Sequence, residues 1–252
     1  MIEVKGVSKQ YGGKTVVDNV SVNIAKGKIT SFIGANGAGK STLLSMISRL
    51  ISCDGGEILI EGERVDRCKS SELAKKISIL KQSNHINVRL TVKELVSFGR
   101  FPYSQGRLKP EDWKYVQEAI DYMELGDLQD QYLDRLSGGQ QQRAFIAMVI
   151  AQNTDYVLLD EPLNNLDMKH SVQIMKVLRR MVDELGKTVI IVIHDINFAS
   201  VYSDDIVALK NGRVVKEGTA DEIIDTPVLK QVYGMDIPIE NINNNKICVY
   251  FA

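Results

Sequence analysis

KITSFIGANGAGKSTLLSMI, residues 28–47, decides the fold. KITSFIG is a short apolar strand, and STLLSMISRL behind it has helical character. Between them GANGAGKS (residues 34–41) fits the pattern G-x-x-x-x-G-K-[ST] in full. A glycine-rich run that leaves a strand and opens a helix can cradle phosphate. Small residues let the backbone N–H groups of Gly34, Ala35, Asn36, Gly37, Ala38 and Gly39 close around phosphate oxygens, and the helix N-terminus adds its positive end. Lys40 is expected to reach the β- and γ-phosphates, the Ser41 hydroxyl to ligate Mg²⁺, and Thr42 to complete the nucleotide-binding set. A turn that merely caps a helix is the plainer reading; the full match in this strand–helix context argues against it.

Outward from the cradle, the chain divides into thirds. Before it, IEVKGV and TVVDNVSVNI carry β-branched residues with partial alternation, and EILIEG behind the turn-like CDGG is another strand. The middle third is helix-rich. TVKELVSFG is expected to start at a Thr91 cap, and EDWKYVQEAIDYMEL places Trp113, Val116, Ile120 and Met123 on one face as a core stripe. This insert reads as a subdomain over about 83–154. The last third returns to α/β alternation. YVLLD and TVIIVIHD are buried strands, and HSVQIMKVLRRMVDELG is a helix with Ile174, Leu178, Met181 and Leu185 on one side, ended by Gly186. IVALKNGRVVKEG reads as a hairpin turning at Asn211-Gly212, and NINNNKICVYFA as a second. Apolar strands alternating with helices predict an α/β fold with a mostly parallel sheet core, preceded by an antiparallel β part.

A cradle needs a metal partner and a group to direct water. Asp160 and Glu161 emerge where YVLLDE ends, the edge at which open α/β sheets bind ligands. Asp160 is the expected Mg²⁺ partner. Glu161 is the expected general base or orienter of the attacking water. His194 ends its own strand in the same way, which could bring it beside the γ-phosphate. Isolated, each would be read as a solvated acid pair or a structural histidine; the cradle changes that balance.

Composition narrows the class. Thirty-one basic and 32 acidic residues leave a net charge of −1, so no global basic field invites nucleic acid. Cys53, Cys68 and Cys248 lack metal-knuckle or CxxC spacing and read as free thiols. The first residues, MIEVKGVSKQ, lack the apolar stretch of a signal peptide. The longest unbroken apolar run is AFIAMVIA (144–151), against the roughly 20 residues a spanning helix needs. A membrane role would have to come through a partner.

In combination these motifs resemble the ATP-binding-cassette (ABC) ATPases over nearly the whole chain. GANGAGKS looks like their Walker A motif, YVLLDE like Walker B, and LSGGQ (136–140) like the family signature. By the same resemblance Gln82 is the Q-loop glutamine that senses Mg²⁺, Tyr11 the aromatic that stacks on adenine, Asp167 the D-loop acid and His194 the switch histidine. One departure is visible: Leu163-Asn164-Asn165 stands where the family often has Thr-Ser or Thr-Asn and a small residue, which puts the D-loop contacts in doubt.

The signature has a physical reading of its own. Ser137 and Gln140 form an S-x-x-Q capping box ahead of a buried helix. Gly138 and Gly139 each cost that helix about 1 kcal/mol against alanine, which makes sense where backbone must approach a ligand. Hydroxyl, free N–H groups and helix dipole together make an anion seat. The resemblance implies that this seat covers the γ-phosphate held by the Walker A of a second copy, in a head-to-tail homodimer.

It further implies an importer ATPase, taking ATP as substrate with Mg²⁺. It would sit on the cytoplasmic face of the cell membrane, held there by two permease subunits and served indirectly by an extracytoplasmic substrate-binding protein. TVKELVSFGRFPYSQGRL (91–108) and LDEPLNNLDMKHSVQIMKVLR resemble the ferric-siderophore group, with haem, cobalamin or another substrate as alternatives. Phe98, Phe101 and Tyr103, interleaved with Arg100 and Arg107, are expected to seat a permease helix. A soluble cassette regulator without a permease is the competing reading.

Overall fold

The strands before the cradle form an antiparallel sheet. β1 (Ile2–Tyr11) pairs with β2 (Lys14–Ile24) across the Gly12-Gly13 turn. Next come β3 (Ile29–Ile33), the phosphate loop and α1 (Lys40–Ile47), then β4 (Gly55–Ile60) and β5 (Glu63–Arg64), which extend the first sheet. α2 (Ser70–Lys76) leads into β6 (Ile77–Leu80). The structure is a computed structural model that describes residues 1–82, 88–164 and 166–250. Residues 83–87, where the sequence reading begins the helical insert, and Asn165 of the departing D-loop lead-in lie outside the described residues.

From residue 88 to residue 155 the described residues form helices joined by turns and loops, apart from one isolated bridge between Thr91 and Tyr132. α3 (Val92–Ser97) starts at the expected cap: Thr91 Oγ1 accepts from Glu94 N, and Glu94 Oε2 accepts from Thr91 N. α4 (Phe101–Ser104) and α5 (Pro110–Tyr122) follow, then α6 (Gly138–Ala151) behind the Ser137 capping box. The α5 stripe is buried at Val116, Ile120 and Met123, each contributing about 1.5–3 kcal/mol of apolar transfer. Trp113 departs from the expected core stripe: it is 39% exposed, with the Lys93 ammonium 5.5 Å from its ring. It sits in the first turn of α5, one residue after the buried Asp112, and its ring lies at the rim.

β7 (Tyr156–Asp160), α7 (Met168–Leu185), β8 (Thr188–Val192) and α8 (Ile196–Tyr202) restore the alternation. α7 ends at Gly186 in the left-handed region, as expected, but Leu185 is 51% exposed rather than buried with Ile174, Leu178 and Met181. β9 (Asp205–Lys210) and β10 (Arg213–Thr219) form the Asn211-Gly212 hairpin. Behind it come α9 (Ala220–Ile223), α10 (Thr226–Tyr233) and the hairpin of β11 (Ile239–Ile242) and β12 (Asn245–Cys248), whose turn puts Asn243 and Asn244 at positive φ.

Among the described residues the second sheet has six strands in the order β10-β9-β3-β8-β7-β6, parallel except for β10. The fold class is therefore as expected: a mostly parallel α/β core with an antiparallel part ahead of it. Alternation along these strands feeds two cores. Val157 and Leu159 join Val189 and Ile191 under the helices, whereas Tyr156 and Leu158 join Ile190 and Val192 under α1 and the antiparallel sheet. No helix among the described residues is long and apolar enough to cross a membrane.

Candidate functional site

Strand order assembles the site. β3, β8, β7 and β6 are successive neighbours, so the groups at their C-terminal ends share one edge. β3 delivers Lys40 and Ser41 through the loop, β8 delivers His194, β7 delivers Asp160 and Glu161, and β6 delivers Gln82. The four strands are separated in sequence by helices, yet their ends form one row.

The loop glycines answer to specific neighbours. Gly34 has φ +140°, and a Cβ there would lie 2.2 Å from the Leu209 carbonyl oxygen. Gly39, the residue before α1, has φ +98°, and its Cβ would lie 2.7 Å from Val16 O. Lys40 is buried, and its ammonium donates to Gly34 O (2.7 Å) and Ala35 O (3.1 Å). Burial lowers the Lys40 pKa, against the pull of the Glu161 and Asp160 carboxylates.

Ser41 Oγ donates to Asp160 Oδ1 at 2.7 Å. Burial pushes the Asp160 carboxyl above its ordinary range, while the Ser41 bond acts in the opposite direction. Glu161 leaves its strand in the left-handed region (φ 50°), a conformation costing about 1–2 kcal/mol, with its N–H held by Val192 O at 3.1 Å. That turn aims its carboxylate into the row: Oε2 accepts from Gln82 Nε2 at 2.6 Å, and Oε1 lies 2.6 Å from His194 Nε2. Asn164 Nδ2 also donates to Glu161 Oε2. The reading of the sequence named Asn164 only within the departing D-loop lead-in and missed its bond to Glu161; a polar side chain three residues past a strand-end acid was the available signal.

Tyr11 stands half exposed at the end of β1, with the Lys9 ammonium 5.6 Å from its ring centroid. The phosphate-loop residues 34–42, Asp160, Glu161, His194 and Gln82 are thus brought together, while the signature is a separate feature. Ser137 Oγ accepts from Gln140 N, and Gln140 Oε1 accepts from Ser137 N, closing the predicted capping box. A Cβ on Gly138 would meet nothing within 4 Å, so its face is open; one on Gly139 would meet the His170 ring at 3.1 Å. Asp167 caps α7, accepting from His170 N at 2.9 Å and lying 2.7 Å from His170 Nδ1.

The expected permease seat needs correction at one residue. Phe98, Phe101 and Tyr103 are exposed, but Arg100 is only 5% exposed and structural. Its guanidinium pairs with Asp112 at 3.0 Å, lies 4.1 Å from the ring centroids of both Tyr103 and Tyr115, and donates to Ala151 O. A guanidinium with these partners is held inside the helical layer, unavailable to a docking helix.

Ser41 and Asp160 present the hard oxygen donors that Mg²⁺ prefers, so the donor chemistry fits that ion alongside phosphate oxygens. Fold and site together define a P-loop nucleoside triphosphatase. The ABC transporter family model matches residues 17–164, and the chain belongs to that family as an ATP-binding ATPase. It is 70% identical over 252 residues, covering all of both chains, to the petrobactin import ATP-binding protein YclP of Bacillus subtilis (strain 168). It is 49% identical, over 99% of this chain and all of the relative, to the petrobactin import ATP-binding protein FatE of Bacillus anthracis. Among solved structures, the dimeric post-hydrolysis state of the ATP-binding cassette MJ0796 bound to ADP and Pi is 35% identical. It superposes with a TM-score of 0.78 over 87% of this chain and 99% of that one.

Proposed function

We propose that this chain powers the import of a ferric siderophore by ATP-driven closure of a head-to-tail homodimer against a membrane permease. The observation that carries the hydrolytic reading is the Glu161 carboxylate, held between the Gln82 amide and His194 on the edge where the phosphate loop opens. Glu161 takes the proton of the attacking water, or orients that water, and His194 holds the carboxylate from its other oxygen. Lys40 exchanges its bonds to Gly34 O and Ala35 O for β- and γ-phosphate oxygens, and Tyr11 stacks on the adenine. Ser41 and Asp160 hold Mg²⁺, with Gln82 as its sensor; the ion, when bound, neutralises charge developing on the phosphates.

The open N-terminus of α6 supplies the other half of a second copy's site. Gly138 and Gly139 bring backbone N–H groups to the partner's γ-phosphate, Ser137 adds its hydroxyl, Gln140 holds the cap, and Asp167 meets the partner beside them. The insert over about 83–154, whose described helices begin at Val92, acts as the signature subdomain. Its exposed Phe98, Phe101 and Tyr103 seat a permease helix at the cytoplasmic face of the membrane. The petrobactin importers named among the relatives support a ferric siderophore as cargo, with petrobactin the first to test. The cargo itself never touches this chain.

Replacing Glu161 with Gln keeps shape and removes the base. The variant is expected to bind ATP, stop hydrolysing it and accumulate as a dimer in light scattering with ATP and Mg²⁺. A variant that hydrolyses ATP at the normal rate rules Glu161 out as the base. For cargo, cells lacking the chain should lose uptake of labelled ferric petrobactin; normal uptake of every siderophore offered would remove the iron reading while leaving the ATPase standing.

A further inference from the structure

The first residue of the phosphate loop is held by a side chain from the other end of the chain. Ile33 still pairs with Ala208 of β9, but at Gly34 the ladder stops and the N–H needs another acceptor. It finds the phenol oxygen of Tyr233, at 3.1 Å. On the other side a Cβ on Gly34 would strike Leu209 O, so the residue is enclosed between a carbonyl and a phenol. Its own carbonyl accepts from Lys40 Nζ at 2.7 Å. The two peptides that meet at Gly34 are thus restrained by Tyr233 on the N–H side and by Lys40 on the carbonyl side.

Tyr233 is itself well anchored. It is the last residue of α10, whose Val228, Leu229 and Val232 are buried, and Gly234 ends the helix at φ 78°. Lys210 Nζ donates to Gln231 O, tying α10 back to the end of β9. Burial pushes the phenol pKa up to about 12, so the hydroxyl keeps its proton near neutral pH and accepts through its lone pairs. Tyr233 lies beyond the span of the family model, residues 17–164.

We propose that Tyr233 is a positioning residue of the nucleotide site, its hydroxyl fixing the Gly34 peptide in the conformation that receives phosphate. This rests on residues 34–41 being the nucleotide cradle. When Lys40 turns to a phosphate oxygen it leaves Gly34 O, and the Tyr233 bond on the N–H side still holds the residue. Without it the loop samples other conformations, and affinity falls by the fraction of time spent in them.

The test compares Tyr233→Phe with Thr226→Val in the full chain. Thr226 Oγ1 donates to Ile237 O at the opposite end of α10, so its loss loosens the same helix without touching the loop. Nucleotide affinity is read with a fluorescent ATP analogue, hydrolysis by steady-state kinetics and stability by Tm. Tyr233→Phe is expected to raise the analogue's Kd and the KM for ATP about 3- to 10-fold, with kcat within about twofold. Thr226→Val should lower Tm and leave Kd and KM unchanged. An unchanged Kd in Tyr233→Phe overturns the proposal, as does an equal rise in Thr226→Val, which would make the effect one of helix stability. Lys40→Ala is measured in parallel: if it binds the analogue as tightly as the unaltered chain, the cradle itself is wrong and the inference falls with it.

Discussion

At the scale of single residues, three glycines in two motifs separate structural from functional demand. Gly34 and Gly39 are required by the fold, since each lies in positive φ against a backbone carbonyl. Gly34→Ala should destabilise the chain by about 2–5 kcal/mol through strain and overpacking, visible as a lowered denaturation midpoint. Gly138 has open space where a side chain would begin. Gly138→Ala should therefore keep stability, or raise it by up to about 1 kcal/mol through helix propensity, while ATP turnover falls. Full activity in that variant would mean that the glycine is not needed for close approach. The residues proposed to do the chemistry were legible as strand-end acids and a strand-end histidine. Their mutual contacts were not: the 2.6 Å approach of Gln82 to Glu161 joins residues far apart in sequence, and no local pattern encodes it.

At the scale of elements, the helical layer is locked by one buried ion pair. Arg100 and Asp112 have side chains 6% and 8% exposed, and Asp112 Oδ2 also accepts from Lys109 N at the start of α5. Removing one partner strands the other, so Asp112→Ala should cost about 3–5 kcal/mol, whereas Arg100→Lys loses the guanidinium that lies 4.1 Å from the ring centroids of Tyr103 and Tyr115. The Lys109 N–H bond, with the Arg100 guanidinium second, holds the Asp112 carboxyl below the usual carboxylate range. A depressed folded pKa gives stability that is complete above the ordinary aspartate pKa and lost as pH falls through the folded value. Acid titration should therefore loosen this layer only below the ordinary aspartate range, and Asp112→Asn should flatten that part of the curve, followed by Trp113 fluorescence on α5. Helix existence was readable from period and caps, as Thr91 and Ser137 illustrate. Which member of a stripe reaches the core was not: Trp113 and Leu185 sit in the end turns of their helices and stay exposed while the mid-helix members are buried.

At the scale of the whole molecule, the proposed dimer makes a claim that one chain cannot satisfy. Lys40→Ala chains lack the cradle, and Ser137→Arg chains lack the seat. Each alone should be inactive, because every site in either homodimer misses one half. Mixed, they form heterodimers in which one site has both halves intact, so ATPase activity should reappear above that of either parent. Heterodimers demonstrated by pull-down but without activity would break the head-to-tail arrangement. Docking belongs to the same scale. Phe98→Ala with Phe101→Ala should abolish co-purification with a membrane permease at unchanged Tm, since both rings are exposed and carry little of the core.

The sequence by itself determined the motifs, the α/β alternation and the chemistry available at each strand end. These depend on local spacing: a glycine run between strand and helix, apolar runs of strand length, and capping boxes four residues long. Only the tertiary structure decided which ends stand side by side. The order β3-β8-β7-β6 brings Ser41 to Asp160 and Glu161 to both Gln82 and His194. It also placed Arg100 inside the helical layer, where the sequence suggested a surface cation, and brought Tyr233 to the first peptide of the phosphate loop. Strand order, ion-pair burial and a hydrogen bond across most of the chain are set by packing between distant segments, and a linear pattern has no term for them.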